Sequence, residues 1–167
     1  PAAAVLAYAN NETYIRFGDP YSPHQLGTYL IGNDTTARQE PMPLENSGNM
    51  LFMLLAIVQR QGVHSSGWLR RYLPLLRAWT DELVRTLPYP ANQICTDDFT
   101  GRLANNTNLG AKGIIAIAAY AELCSLMVAE PVEGGGGPAA DACAPYAATA
   151  RRYAAVWQAH SYEASPS

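Results

Sequence analysis

Between residues 50 and 58 the chain reads MLFMLLAIV, and within that run Leu51, Leu54, Leu55 and Val58 recur at i, i+3, i+4 and i+7. This spacing puts four apolar side chains on one face of an α-helix and does not fit the alternation of a half-buried strand. The predicted helix covers residues 47–61, and Gly62 can end it. A second stripe, Leu69, Tyr72, Leu73, Leu76, Trp79, Leu83 and Leu87, predicts a helix over residues 66–87. Pro88 and Pro90 stop it, and Pro74 kinks it or divides it in two. The run NLGAKGIIAIAAYAELCSLMVA predicts a third helix from Leu103 or Thr107 to Ala129, and Tyr146, Ala150, Tyr153, Val156 and Trp157 mark a fourth over residues 142–160.

Between these helices, residues 88–102 hold too many turn formers for a helix and read as an ordered connection, whereas EPVEGGGGPAAD reads as a flexible turn. The first 45 residues, rich in Pro, Gly, Asn and Tyr, form an irregular arm with a short helix around residues 3–9. A chain of 167 residues suffices for one core, so a single helical domain is expected, with the arm over 1–45 and antiparallel helical hairpins over 46–160. No strand pair is evident. The fold class is all-α, satisfied by a four-helix bundle or by part of an (α/α) toroid in which hairpins stack side by side.

With 49% apolar and 15% charged residues the chain suits a packed interior. A net charge of −3 without a Lys/Arg run gives no attraction for nucleic acid or anionic lipid, and the most apolar stretches, 50–58 and 113–121, are shorter than a membrane span. His24, His64 and His160 lack ligand spacing and no cysteine pair reads CxxC, so neither metal nor cofactor is expected. The GGGG at 134–137 lacks the strand and GK[ST] of a phosphate loop. Cys124 and Cys143 could bridge across the loop between helices three and four or remain two buried thiols. Sequons stand at Asn11, Asn33 and Asn105, the first two in turn-rich sequence able to carry glycans, which favours a secreted protein. The opening PAAAVLAYA, without Met, reads as a processed or excised product.

Candidate chemistry gathers where the helices begin. Glu45 precedes helix one, and Asp97 and Asp98 precede helix three in TDDFTGRLANNTN, so parallel helices one and three would bring the three carboxylates to one rim. Carboxylates sharing a rim can divide into general acid and general base. Spacing alone favours the alternative that each caps a helix or steadies its N-terminus, and Asn105, Asn106 and Asn108 could orient a polar substrate but read more readily as caps of helix three. Ser47 lacks the GxSxG elbow of a nucleophile, and the Trp and Tyr of the stripes read as core.

Two longer motifs, EPMPLENSGNMLFMLLAI (40–57) and NQICTDDFTGRLANNTNLGAKGIIAIAAYAEL (92–123), with RYLPLLRAWTDELV between them, resemble the fungal and bacterial glutaminase A family, whose helical domain is related to the six-hairpin glycosidases. The resemblance, spanning residues 21–157, implies an (α/α) toroid, a secreted or cell-envelope location, and hydrolysis of glutamine to glutamate and ammonia. It implies Glu45, Asp97 and Asp98 as the catalytic carboxylates and Asn49, Arg102, Asn105 and Asn108 as residues binding a small-molecule amide. Arg102 stands where the family pattern leads one to expect histidine. Members of the family are several times longer, so the chain is expected to be a fragment of about two hairpins. A second copy in a homodimer would then cover its open face. The competing expectation is a secreted polypeptide that binds glycans or protein without turnover.

Overall fold

The computed structural model describes residues 20–24, 41–95, 98–129 and 140–161. Asn11, Asn33, Asp97, residues 130–139 of the expected turn and most of the expected arm lie outside the described residues. Four α-helices are present among those described: α1 (Pro43–Gln61), α2 (Leu73–Thr86), α3 (Thr107–Ala129) and α4 (Ala144–Ser161). A 3-10 segment, His64–Tyr72, leads into α2, and the 3-10 turns Asp98–Thr100 and Ala140–Ala142 precede α3 and α4. No strand occurs among the described residues, and Gln93 and Leu103 form an isolated antiparallel bridge.

Helix α1 begins four residues earlier than its apolar period indicates, because Pro43 occupies its first turn with φ already preset for a helix. Met42 offers no side-chain cap. Gln93 replaces it from far along the chain, its Oε1 accepting a hydrogen bond from Leu44 N at 3.2 Å. Gly62, at φ 84°, ends the helix with its N–H on Val58 O. Pro74 divides the expected helix over 66–87: the 3-10 segment runs up to Tyr72, and Pro74 sits in the first turn of α2, where its missing N–H costs nothing.

Side-chain pairings give the directions. Leu44 lies against Gly113, Glu45 meets Lys112, and Gly48 faces both Lys112 and Ala116, so α1 and α3 run parallel. Across α3 and α4, Trp157 Nε1 donates to Thr107 O at 3.0 Å, the Tyr120 and Tyr146 rings meet edge to face at 4.9 Å, and Cys124 is disulfide-bonded to Cys143. These two helices are antiparallel. Tyr146 and Tyr153 in turn donate to Asp81 Oδ1 (2.6 Å) and Val84 O (2.9 Å), which makes α2 and α4 parallel. The result is two hairpins side by side, α1 and α3 in one layer and α2 and α4 in the other.

Leu44, Leu51, Leu54, Leu76, Trp79, Leu83, Ile117, Leu123 and Met127 are almost wholly buried between the layers. Each such side chain contributes about 1.5 to 3 kcal/mol relative to exposure. The apolar run 113–121 is longer than expected, being the middle of the 23-residue α3, which is long and apolar enough (mean hydropathy 1.6) to match a membrane span by composition. Here α1, α2 and α4 pack around it, giving it the surroundings of a core helix. Its glycines permit this. At Gly113 a Cβ would stand 2.6 Å from Leu87 Cδ1 and 2.7 Å from Leu44 Cδ2.

Candidate functional site

Glu45 stands in the first turn of α1, within the helix and not in the loop before it as the sequence indicated. It is 5% exposed. Lys112, from the second turn of α3, donates through Nζ to its Oε1, and Asn49, one turn along α1, donates through Nδ2 to the same oxygen at 3.2 Å. The lysine stem reaches the carboxylate by crossing Gly48, where a Cβ would lie 3.1 Å from Lys112 Cγ. The glycine of PLENSGN therefore makes room for the partner of the glutamate three residues before it.

The connection from α2 to α3 is fastened beside this pair. Gln93 exchanges both backbone hydrogen bonds with Leu103 (3.4 and 3.2 Å), Asn105 N donates to Pro90 O at 2.8 Å, and the Gln93 side chain holds Leu44 N. Ile94 and Cys95 are buried next to them. Ser22 N donates to Ser47 Oγ at 3.0 Å, so residues 20–24 also rest on the first turns of α1, and Ser47 serves as an anchor.

Asp98 opens the turn Asp98–Thr100, while its side chain and the whole of Asp97 lie outside what the structure describes. Residues 99–106 separate Asp98 from α3. Neither a position directly before α3 nor a capping role fits it: the cap is Asn106, whose Oδ1 accepts from Leu109 N at 3.0 Å and whose Nδ2 lies 3.4 Å from Cys95 Sγ. Arg102, Asn105 and Asn108 are exposed around the start of α3. Asn105 has φ 53°, a left-handed turn conformation that asparagine tolerates better than most residues. Of the sequence candidates, Glu45 and Asn49 touch each other. Among the described contacts, Asn105 and Asn108 are not joined to that pair.

Lys112 and Gln93 were not singled out in the sequence. The signal for Lys112 was its place as the only charged residue in NLGAKGIIAIAAYA, an otherwise apolar helix face flanked by glycines. Gln93 carried no local signal, since its partner is 49 residues away. Chemically the cluster offers an anchored carboxylate, an ammonium group one quarter exposed, and a carboxamide at the surface. No group of His, Cys, Asp and Glu suited to a metal occurs among the described residues.

Two stacked hairpins with their polar cluster at the N-terminal ends of parallel helices define a protein of the helical-hairpin class. Residues 2–166 match the glutaminase A six helical-hairpin domain, and the chain belongs to that family. It is 38% identical over 145 residues to "Glutaminase A" of Aspergillus oryzae, an alignment covering 86% of this chain and 19% of that protein. To a "Probable glutaminase" of Arthroderma benhamiae it is 46% identical over 164 residues, covering 65% of this chain and 19% of the relative. The chain thus spans about a fifth of the length of these curated relatives. No solved structure matches it.

Proposed function

We propose that the chain supplies part of the acid/base rim of a secreted glutamine amidohydrolase, converting L-glutamine to L-glutamate and ammonia. The observation that carries this reading is the buried Glu45, held by Lys112 and Asn49 where the parallel helices α1 and α3 begin, in a chain of the glutaminase A family. Amide hydrolysis needs a base to take a proton from the attacking water, donors for the carbonyl oxygen as it becomes an oxyanion, and an acid to protonate the departing ammonia. Glu45 is the base, oriented by the ammonium of Lys112 and the carboxamide of Asn49. Asp97 or Asp98 is the acid, and Lys112 and Asn49 are donors at the oxyanion. Arg102, Asn105 and Asn108 receive the α-carboxylate and α-amino group of the substrate. The disulfide supports a location outside the reducing cytosol.

The test is ammonia release from glutamine by the full chain and by its Glu45→Gln and Asp97→Asn variants. Each substitution should lower kcat by about 100-fold or more, the usual worth of a positioned acid or base. An unchanged rate in both variants removes the reading. A second reading, a binding polypeptide without turnover, is favoured by the groove of roughly 360 Å³ between α3 and α4, lined by Ile114, Ile115, Ala118, Ala150 and Ala154 with Ile115 58% exposed. Glutamine left intact, together with a dimer in light scattering that Ile115→Arg dissociates, would favour this second reading.

A further inference from the structure

Asn105, Asn106 and Thr107 form an Asn-x-Thr sequon, and the structure gives its acceptor an uncommon neighbourhood. Asn105 is exposed, its backbone is fixed by the bond to Pro90 O, and among the described residues its carboxamide makes no hydrogen bond. Next to it opens a pocket of roughly 230 Å³ between the α2–α3 connection and the end of α4, lined by Pro88, Tyr89, Asn105, Asn106, Trp157 and His160. Tyr89 is 53% exposed and meets the His160 ring edge-on at 5.4 Å. The indole of Trp157 is pinned by its bond to Thr107 O. An exposed tyrosine and a fixed indole suit a ligand with an apolar face and a polar rim, which is how a pyranose ring presents itself. The Cys124–Cys143 disulfide indicates the oxidising compartment in which sequons are used.

We infer that Asn105 carries an N-linked glycan whose first N-acetylglucosamine packs into this pocket against Tyr89 and Trp157. In the linking step, catalysed by the host's transferase, Asn105 Nδ2 attacks C1 of the reducing-end sugar of a polyisoprenyl-pyrophosphate donor. The C–N bond forms, the C–O bond to the pyrophosphate breaks, and the amide loses one proton. The inference rests on the secretory location proposed above and leaves the acid/base assignment of Glu45 and the aspartates untouched. It withdraws Asn105 from the substrate-binding set. Asn106 keeps its capping role, which needs only its own side chain.

The experiment is secretion of the full chain from a eukaryotic host, followed by peptide mapping before and after an endoglycosidase that leaves one N-acetylglucosamine on each acceptor. Sugar is expected at Asn105 and is lost in Thr107→Ala, which keeps the asparagine. A bare Asn105 on the secreted chain overturns the inference alone, whatever the state of Asn11 and Asn33, whereas failure of the chain to leave the cell removes the secretory location on which it rests. For the pocket, Tyr89→Ala should lower Tm by about 2 to 4 °C more in the chain bearing the single sugar than in the enzymatically deglycosylated chain. Equal shifts in the two forms would overturn the packing.

Discussion

Lys112 of α3 and Glu45 of α1 form an ion pair between side chains 25% and 7% exposed, at the matching ends of two parallel helices. A pair so enclosed acts through what happens when it is broken. Lys112→Met would take the cation away from a buried carboxylate and should cost about 2 to 4 kcal/mol in denaturant unfolding. Adding Glu45→Gln should recover much of that loss, so the double variant falls well short of the sum of the single ones. Strict additivity would mean the two groups are not coupled.

Gly113 marks a close approach of α3 to its neighbours. Alanine there gains about 1 kcal/mol of helix propensity but pushes a methyl group into Leu44 and Leu87, both buried. Overpacking of this kind costs about 1 to 3 kcal/mol, so Gly113→Ala should be destabilising overall. Gly67 provides the comparison, since a Cβ there meets nothing within 4 Å, and Gly67→Ala should leave the unfolding midpoint nearly unchanged.

The disulfide closes a loop between residues 19 apart in sequence, joining α3 to the turn ahead of α4. On the chain-entropy account a loop of this length stabilises by about 3 kcal/mol. Cys124→Ala with Cys143→Ala should therefore lower Tm clearly, and reducing agent should do the same to the natural chain but not to the variant. Cys95, buried and free, should be unaffected by mild oxidant.

Stability should also fall in alkali. Burial, and then the neighbouring Tyr146, pushes the Tyr120 hydroxyl from 10.0 up to about 12. Tyr146 is raised as well, by burial and by the hydrogen bond it donates to Asp81. The folded chain holds these protons more tightly than the unfolded chain does. The associated stability is present below pH 10.0 and is lost as pH climbs towards 12. For Tyr120 the loss is on the order of 2 kcal/mol, and Tyr120→Phe should flatten the unfolding profile across that window.

The sequence alone determined the α-helices and several of their ends, because the signals are local. Leu51, Leu54, Leu55 and Val58 share a face by spacing, Gly62 and Pro74 act on their own backbone, and α3 ends at Ala129 ahead of a glycine-rich stretch of sequence. It also held the motifs on which family membership rests. What only the tertiary structure decided were the partnerships between distant residues: Lys112 on Glu45, Gln93 on Leu44 N, and Tyr146 on Asp81. The capping role fell to Asn106 and not to the aspartates for the same reason, since α3 begins where the Gln93–Leu103 bridge releases the chain. Periodicity fixes which face of a helix is apolar. The neighbour that the face meets, and the polar group that closes the seam beside it, depend on how the two hairpins stack.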